Sequence, residues 1–254
     1  MAGVELVRVE RDADVVTATL DSPANRNALS ATLLEQLGAA LDAAAADDSA
    51  RAIVLTGAGP AFCAGADLSD PPGNDPDLPF GLPAVLQRIV ECPLPVICRV
   101  NGHVRAGGLG LVAACDIAIA PDDATFAFSE VRVGVAPAVI AVVCRPLMQP
   151  RAYARLTLTG APFTAAEAAE WGLITMVAAA DELDRCLGDV LAELRLGAPS
   201  AIARTKRINA DLPTLTQAEQ WRHTASISAT QFQGADAVEG LAAFREKRPP
   251  RWAT

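Results

Sequence analysis

A cluster of three glycines, at positions 107, 108 and 110, constrains this chain more than any other feature of its sequence. The cluster follows an apolar segment and precedes a run of small apolar residues, 109–115, that is typical of a helix. Glycine lets the main chain turn sharply and approach a ligand closely, and the first N–H groups of a helix have no partner within it. The segment therefore predicts an anion site made of backbone N–H groups, either for the phosphates of a dinucleotide or for the oxygen of a carbonyl.

The composition restricts the classes of partner. The chain has 254 residues, enough for one large α/β domain or for one domain with a helical appendage. Its net charge of −9 argues against nucleic acid as a partner, because phosphate binding needs a clustered positive face. The six cysteines form no C-x-x-C pair and only two histidines accompany them, so we expect no metal site. These cysteines are typical of small buried residues in a reducing cytoplasm.

No membrane attachment is expected. The first residues lack the basic and apolar regions of a signal peptide. The best apolar run, 133–144, is about half as long as a membrane span and contains Pro137. The sequence therefore predicts a soluble cytoplasmic protein.

Strand patterns alternate with helix patterns in the first part of the chain. They predict strands over 6–9, 15–20, 52–56, 95–100 and 117–120. They predict helices from Ser30 to about residue 47 and then over 82–90, 109–114, 151–159, 164–171, 181–196, 199–210 and 214–247. We expect a loop over 57–65 and a mobile segment over 70–83. The alternation implies βαβ units, so we expect an α/β core over 1–199 and a helical region over 200–254.

Several segments occur in the order and spacing of one known superfamily. They span 21–30, 51–68, 125–137, 158–160 with 165–173, and 244–252, together with the glycine cluster. In these segments the chain resembles the crotonase superfamily, the enoyl-CoA hydratases and isomerases, over nearly its whole length. The resemblance implies an α/β ClpP/crotonase fold, with repeated ββα units in two roughly perpendicular sheets and C-terminal helices that form homotrimers or hexamers. It also implies an acyl-CoA thioester substrate and no metal or redox cofactor, since coenzyme A is part of the substrate.

The resemblance assigns roles to particular positions. The backbone N–H groups of Ala66 and Gly107 are expected to hold the thioester oxygen, as an oxyanion hole. The backbone around Ala66 is also expected to bind the adenine and pantetheine of coenzyme A, and Lys247 its phosphates, from the same or an adjacent subunit. The full set of expected substrate-binding positions is Ala64, Asp67, Leu68, Gly108, Gly110, Pro137 and Lys247.

One departure from the family pattern bears on the reaction. Hydratases with two catalytic carboxylates carry the first one three residues after the oxyanion-hole glycine, where this chain has Gly110, and the second at the position of Glu130. Glu130 is therefore expected to move the proton α to the thioester as the sole catalytic carboxylate. Hydration of a 2-enoyl-CoA is the favoured reaction, and the alternatives are 3-enoyl to 2-enoyl isomerisation and a catalytically weak acyl-CoA binder. A Gly110→Glu substitution is expected to restore the missing carboxylate and to favour hydration over isomerisation, provided that the backbone at Gly110 is helical and accepts a side chain.

A different site chemistry competes with this assignment. Gly108, Gly110 and Ala113 fit the G-x-G-x-x-A fingerprint of dinucleotide-binding folds, and Glu130 follows 20 residues after Gly110, where a ribose-binding acid is common. That fingerprint usually follows the first strand of its domain, whereas this one lies in the middle of the chain. We therefore favour the oxyanion hole.

The neighbours of the candidate site also allow two interpretations. Glu130 is either an ordinary surface carboxylate or a base whose pKa is raised by an apolar wall, and we expect the wall to consist of Phe126, Phe128, Val131, Val133 and Val135. A second set of polar side chains has either binding or structural roles. We expect His103 and His223 to pack or lie on the surface, Asp67 to shape its loop, and Arg105 and Arg132 to bind an acyl carboxylate or to face solvent.

Overall fold

Four consecutive ββα units form the first part of the fold. The computed structural model describes residues 4–70 and 77–253. In chain order the units are β1 Val7–Asp12, β2 Val15–Leu20 and α1 Ala31–Ala45; β3 Ala52–Gly57, β4 Ala61–Cys63 and α2 Leu82–Glu91; β5 Val96–Arg99, β6 His103–Arg105 and α3 Gly107–Ala114; β7 Ile117–Pro121, β8 Thr125–Ala127 and α4 Ala138–Leu147. This repetition confirms the predicted fold class.

The remaining elements are mainly helices. They are α5 Pro150–Thr159, β9 Phe163–Thr164, α6 Ala165–Glu170, β10 Met176–Ala178, α7 Leu183–Leu196, α8 Pro199–Asp211, α9 Gln217–Gln231 and α10 Ala235–Glu246. The predicted single helix over 214–247 is wrong, because Gly234 adopts an extended conformation that ends one helix and starts the next. No helix in the described ranges is long and apolar enough to cross a membrane.

The strands form two sheets. The larger sheet has the order β1-β2-β3-β5-β7-β10 and the smaller one the order β4-β6-β8-β9. In units two to four, therefore, the first strand enters the larger sheet and the second strand enters the smaller one. β4, β6 and β8 are parallel neighbours, so their carboxyl ends lie at one edge of the smaller sheet.

Helix α1 shows how far local sequence determines this fold. Leu33, Leu34, Leu37 and Leu41 are buried as their spacing predicts, and the Ser30 hydroxyl accepts a hydrogen bond from the Leu33 N–H at 3.2 Å. The apolar stripe packs into the main core beneath the larger sheet together with α2.

Some elements were not predicted. β4 lies inside the expected loop 57–65, since a strand of three residues is too short to show a period. Helix α4 has a proline near its end and overlaps the apolar run 133–144, for which no helix was predicted. Of the expected mobile segment 70–83, residues 71–76 lie outside the described ranges, while Phe80 packs on Gly38 and beneath the Arg88 guanidinium.

The C-terminal helices are tied to the core through a buried lysine. Lys206 on α8 donates hydrogen bonds to the carbonyls of Ile89 and Leu94 and to the Asp116 carboxylate, at 2.9, 3.1 and 2.7 Å. Each bond reaches a different part of the α/β core, namely the end of α2, the turn before β5 and the start of β7. The boundary at residue 199 stays a prediction.

Candidate active site

Three neighbouring strands of the smaller sheet lead directly to the predicted catalytic positions. Ala66 follows the end of β4 by three residues, Gly107 follows β6 by two and Glu130 follows β8 by three. Because the three strands are parallel and adjacent, their carboxyl ends bring these positions to the same edge. This arrangement could not be deduced from the sequence, since β4, β6 and β8 were not predicted as strands.

Close backbone packing joins the loops that carry Ala66 and Gly107. A Cβ atom built on Gly65 would lie 2.8 Å from the Cβ of Ala106 and 3.3 Å from the carbonyl oxygen of Arg105. Gly65 also has a φ of +95°, which favours glycine. The residues immediately before the two expected donors are therefore in contact, and glycine makes this contact possible.

The N–H group of Ala66 has no hydrogen-bond partner in residues 4–70 and 77–253, for geometric reasons. Ala66 forms a parallel bridge with Leu29, in which the Leu29 N–H donates to Gly65 O at 2.7 Å and the Asp67 N–H donates to Leu29 O at 2.9 Å. In this pattern the neighbours of Ala66 make the hydrogen bonds, and its own N–H points to the other side. The side chain of Ala66 is exposed, so a ligand can approach this donor.

The N–H group of Gly107 is free because it begins a helix. α3 starts at Gly107, two residues earlier than the sequence indicated. The first N–H groups of a helix have no acceptor within it, and no acceptor for this one occurs elsewhere in the described ranges. Free donors at Ala66 and Gly107 on packed loops form a candidate oxyanion hole.

A buried asparagine that was not assigned a role holds the loop before Ala66. Asn27 is fully buried, and its side-chain amide donates to the carbonyls of Ala58, Ala61 and Phe62 at 2.9, 2.9 and 3.2 Å. The carbonyl of Arg26 accepts the Ala64 N–H at 3.0 Å. Asn27 lies in segment 21–30, one of the segments in which the chain resembles the crotonase superfamily. That resemblance was the one signal in the sequence that could have pointed to a role for Asn27.

Beyond Ala66 the loop is shaped by Asp67. Its carboxylate accepts hydrogen bonds from the Ser69 N–H at 2.9 Å, the Ser69 hydroxyl at 2.6 Å and the Asn25 amide at 3.1 Å. The bonds to Ser69 are the largest of the effects that lower the pKa of Asp67. The Leu68 side chain is exposed. The side chain of Asp67 thus supports the loop. Because its N–H donates to the Leu29 carbonyl, the backbone group of Asp67 that remains for the predicted contact with a ligand is the carbonyl.

Glu130 is a half-buried carboxylate in the 3₁₀ turn Ser129–Val133. Burial raises the pKa of Glu130, and its Oε2 atom is buried with no hydrogen-bond partner among the described residues. The predicted apolar wall is only partly correct. Phe126 and Phe128 are buried, but Val133 and Val135 are 65% and 58% exposed, since the chain leaves the sheet after the turn.

The place of the missing first carboxylate is filled by apolar side chains. Gly110 lies within α3, where a Cβ atom would be 2.5 Å from Cγ2 of Ile140 and 3.3 Å from Cδ1 of Leu86. Helix α4 therefore packs so closely that any side chain at position 110 requires Ile140 to shift. The expectation that Gly110→Glu restores a carboxylate requires space that the structure does not provide.

The same packing argues against the dinucleotide interpretation. A Cβ atom on Gly108 would lie 2.8 Å from the Cβ of Cys63. Gly108 and Gly110, which were also expected to bind substrate, thus face protein atoms of β4 and α4. The space beside both glycines of the fingerprint is filled by Cys63 and Ile140, where a pyrophosphate would need open backbone.

Two further predicted substrate-binding residues, Pro137 and Lys247, lie at the ends of later helices. Pro137 is half-buried at the start of α4. Lys247 is exposed at the end of α10. Five residues later, the indole N–H of Trp252 donates a hydrogen bond to the Leu196 carbonyl. The Trp252 carbonyl accepts a hydrogen bond from Arg51, just before the amino end of β3. A single chain therefore gives no contact between Lys247 and the candidate site, and its predicted role from an adjacent subunit stays a prediction.

Three polar side chains near the site, those of Arg105, His103 and Arg132, make hydrogen bonds to neighbouring elements of the fold. Arg105 donates to the Thr125 carbonyl at 2.6 Å and to the Thr125 hydroxyl at 2.8 Å. His103 accepts a hydrogen bond from the Thr125 N–H at its Nδ1, at 3.3 Å. Arg132 is exposed and donates to the Thr159 carbonyl at 3.4 Å. These contacts favour structural roles for all three.

The packing of α3 on α4 predicts the effect of adding a methyl group at position 110. Gly110→Ala should destabilise the protein by about 1–3 kcal/mol, because overpacking against Ile140 outweighs the better helix propensity of alanine. In an Ile140→Ala background the same change should cost less, so the two substitutions should be coupled. Urea denaturation of the four proteins measures this cycle.

The matched control is Gly188→Ala on α7, where a Cβ atom meets nothing within 4 Å. This substitution should stabilise the protein by about 0.5–1 kcal/mol. Equal effects at positions 110 and 188 would show that α3 and α4 are not in close contact.

The buried carboxylate predicts a pH-dependent stability effect. Since the folded pKa of Glu130 lies above its unfolded value, its contribution to stability is fully present below the unfolded pKa and is lost as the pH rises through the folded pKa. Glu130→Gln should therefore melt at a higher temperature than the wild type at pH 8, and the difference should shrink toward pH 4.

Glu239 supplies a control of opposite sign. Hydrogen bonds from Arg248 lower the pKa of Glu239 to about 2. Glu239→Gln should be less stable than the wild type at neutral pH, and this deficit should shrink as the pH falls toward 2. Thermal melts across pH measure both variants, and a Glu130→Gln protein less stable than the wild type at pH 8 would contradict the burial of an unpaired carboxylate.

Comparisons with known proteins identify the family of this chain. A sequence model of the enoyl-CoA hydratase/isomerase family matches residues 10–254. The carnitinyl-CoA dehydratase of Salmonella arizonae is 34% identical over 257 residues, which cover 98% of each chain. The structure of an enoyl-CoA hydratase from Mycobacterium smegmatis matches with a TM-score of 0.92 at 33% identity, over 99% of this chain and 100% of that one.

An enoyl-CoA hydratase/isomerase structure from Marinobacter aquaeolei matches with a TM-score of 0.90 at 32% identity, again over 99% and 100% of the two chains. The family match begins within β1 and spans the rest of the four ββα units and the C-terminal helices. It includes the three loops that carry Ala66, Gly107 and Glu130. The chain therefore belongs to the enoyl-CoA hydratase/isomerase family, a family of enzymes, and has the crotonase fold.

Proposed function

We propose that the protein catalyses the reversible addition of water to a 2-enoyl-CoA thioester, which gives a 3-hydroxyacyl-CoA through a thioester enolate. One observation carries the proposal. Two free backbone N–H groups, of Ala66 and Gly107, lie at the same sheet edge as the half-buried carboxylate of Glu130, whose Oε2 atom has no hydrogen-bond partner among the described residues. An anion site and a base side by side are what proton transfer next to a carbonyl requires.

The two N–H groups act on the developing charge. When a nucleophile adds to the conjugated double bond, negative charge moves onto the thioester oxygen. Preorganised amides stabilise that charge without a proton transfer of their own, and each such donor is worth roughly 10²–10³ in rate. The proposed reaction therefore needs no metal or redox cofactor, and coenzyme A enters as part of the substrate.

Glu130 moves the protons. It accepts a proton from water while the water oxygen bonds to C3, and the enolate that forms then takes this proton back from Glu130 at C2. Because burial raises the pKa of Glu130, the carboxyl is a better acid and base near neutral pH than an exposed glutamate. Gly110 adds no second carboxylate, so one group performs both transfers.

The single carboxylate also favours a second candidate reaction. In a 3-enoyl-CoA to 2-enoyl-CoA isomerisation, Glu130 takes a proton from C2 and returns it at C4 of the same dienolate. No water is needed, and the apolar side chains of Ile140 and Leu86 beside Gly110 suit a dry site. A protein that binds acyl-CoA but turns it over poorly is the third possibility that the test below distinguishes.

Binding of coenzyme A is proposed at the exposed loop after β4. The backbone of Ala64, Ala66, Asp67 and Leu68 is expected to contact adenine and pantetheine. Arg26, whose carbonyl holds Ala64, adds an exposed cation beside this loop. Such a local positive charge matters because the net charge of the chain is −9. Lys247 of an adjacent subunit remains a further proposed phosphate contact.

The mechanism predicts that chemistry and binding separate in Glu130→Gln. Turnover should fall by roughly 10²–10⁴, the usual worth of a general acid or base. Affinity for an acyl-CoA should change little, since the oxyanion hole and the loop of Ala66 are untouched. A panel of 2-enoyl- and 3-enoyl-CoA substrates, followed by ultraviolet absorbance and mass spectrometry, measures turnover. Water addition changes the mass, whereas isomerisation does not.

Binding is measured separately by thermal shift. Acetoacetyl-CoA should raise the melting temperature of both the wild type and Glu130→Gln, and NAD should not. Full activity of Glu130→Gln would end this mechanism. Binding without turnover on any substrate of the panel would support the acyl-CoA binder instead.

We also propose that the protein assembles into trimers or pairs of trimers and functions in the cytoplasm. Trp221 and Phe232 on or next to α9, and Phe244 on α10, are all more than two thirds exposed, and large exposed apolar side chains mark surfaces that another molecule covers. Sedimentation velocity should show a species of at least three chains. A stable monomer at micromolar concentration would remove this proposal.

A further inference from the structure

Glu130 lacks a hydrogen bond that its proposed role requires. Its Oε2 atom is buried, and no group in the described part of the chain donates a hydrogen bond to it. The protonated form tolerates this environment, but a base must carry a negative charge before it accepts a proton. A buried carboxylate oxygen without a donor is costly. A donor from a neighbouring element would therefore stabilise the ionised form of Glu130.

Tyr153 lies on the helix that packs against the turn of Glu130. Its ring stands edge-on to Phe128, with 5.6 Å between the ring centroids and 80° between the planes. Phe128 is fully buried and precedes Glu130 by two residues. Tyr153 is half-buried, and within residues 4–70 and 77–253 its hydroxyl has no hydrogen-bond partner. The ring contact thus places Tyr153 against the turn that carries Glu130, whose Oε2 atom has no donor in the described part of the chain.

Two side chains with a weakly acidic hydrogen, those of Cys144 and Tyr153, interact electrostatically with Glu130. On α4, burial and then the charge of Glu130 raise the pKa of the Cys144 thiol. On α5, burial, Cys144 and Glu130 raise the pKa of Tyr153, while Arg145 lowers it. Cys144 already directs its thiol at the Leu109 carbonyl, at 3.6 Å. Of these two side chains, Tyr153 is the one whose hydrogen has no acceptor among the described residues.

We propose that Tyr153 is a positioning residue for Glu130, whose hydroxyl donates a hydrogen bond to Oε2 in the ionised form and so directs Oε1 toward the substrate. Catalytic hydrogen bonds are commonly long in an enzyme without substrate and tighten in the complex. The proposal rests on the proposed function for the role of Glu130 as the base. The hydrogen bond itself can be tested without any turnover.

The sequence offers a direct test, because Tyr153 is the only tyrosine in the chain. Biosynthetic incorporation of 3-fluorotyrosine gives one ¹⁹F resonance from the full-length protein, with the ring and its packing retained. That resonance should shift with pH through an inflection at the pKa of Glu130, and the inflection should be absent in Glu130→Gln. A resonance without an inflection, or one that persists in Glu130→Gln, would overturn the proposal.

Tyr153→Phe tests the effect on the base. It keeps the ring contact with Phe128 and removes only the hydroxyl, so the melting temperature should stay close to that of the wild type. Because the lost bond favours the ionised form, the acid limb of the kcat/KM profile should move up by about one pH unit. kcat should fall about tenfold, and KM should change little.

Thr157→Val is the matched control on the same helix. The Thr157 hydroxyl donates to the Tyr153 carbonyl at 2.8 Å, within the helix itself, so its loss should leave the acid limb in place. An acid limb that stays in place in Tyr153→Phe, or that moves equally in Thr157→Val, would show that Tyr153 is only structural. If the wild type turns over no thioester, the proposed function fails, and the ¹⁹F titration still shows whether Tyr153 responds to the ionisation of Glu130; a ring that does not respond overturns the proposal.

Discussion

The site depends on backbone contacts that are shorter than a side chain would allow. Gly65 touches Ala106, and Gly108 touches Cys63, at separations that leave no room for a Cβ atom. These two contacts join the loop after β4 to the start of α3, and therefore fix the N–H groups of Ala66 and Gly107 relative to each other. Preorganised donors are effective because they do not have to reorient during the reaction. The rigidity of this edge is thus a requirement of the proposed chemistry as well as of packing.

The polar groups of the fold are satisfied almost everywhere except at the site. Lys206 makes three hydrogen bonds in the core, and the amide of Asn27 meets three carbonyls. In the described part of the chain only Glu130 Oε2 and His223 Nε2 are buried side-chain atoms without a hydrogen bond, and His223 Nε2 lies 3.4 Å from the Asp211 carboxylate. A buried carboxylate oxygen without a hydrogen bond lowers the stability of the fold. Natural proteins retain such groups where function needs them.

The sequence predicts those parts of the structure that are set locally. The stripe of leucines and the Ser30 cap are sufficient for α1, because both signals lie within a few residues of each other. The smaller sheet was missed because β4, β6 and β8 have three residues each and owe their existence to pairing with one another. The positions of Ala66, Gly107 and Glu130 were found through the resemblance. Their convergence at one edge depends on parallel pairing, which no local pattern reports.

The absence of a first carboxylate is also a property of tertiary packing. Ile140 and Cys144 lie one turn apart on α4 and so share a face. Ile140 fills the space beside Gly110, and Cys144 borders Glu130 and bonds to Leu109. The same helix face therefore closes one carboxylate position and forms part of the environment of the other. A change at Gly110 alone cannot convert this site into one with two carboxylates, because α4 must move or lose Ile140 first, and any movement of α4 also alters the surroundings of Glu130.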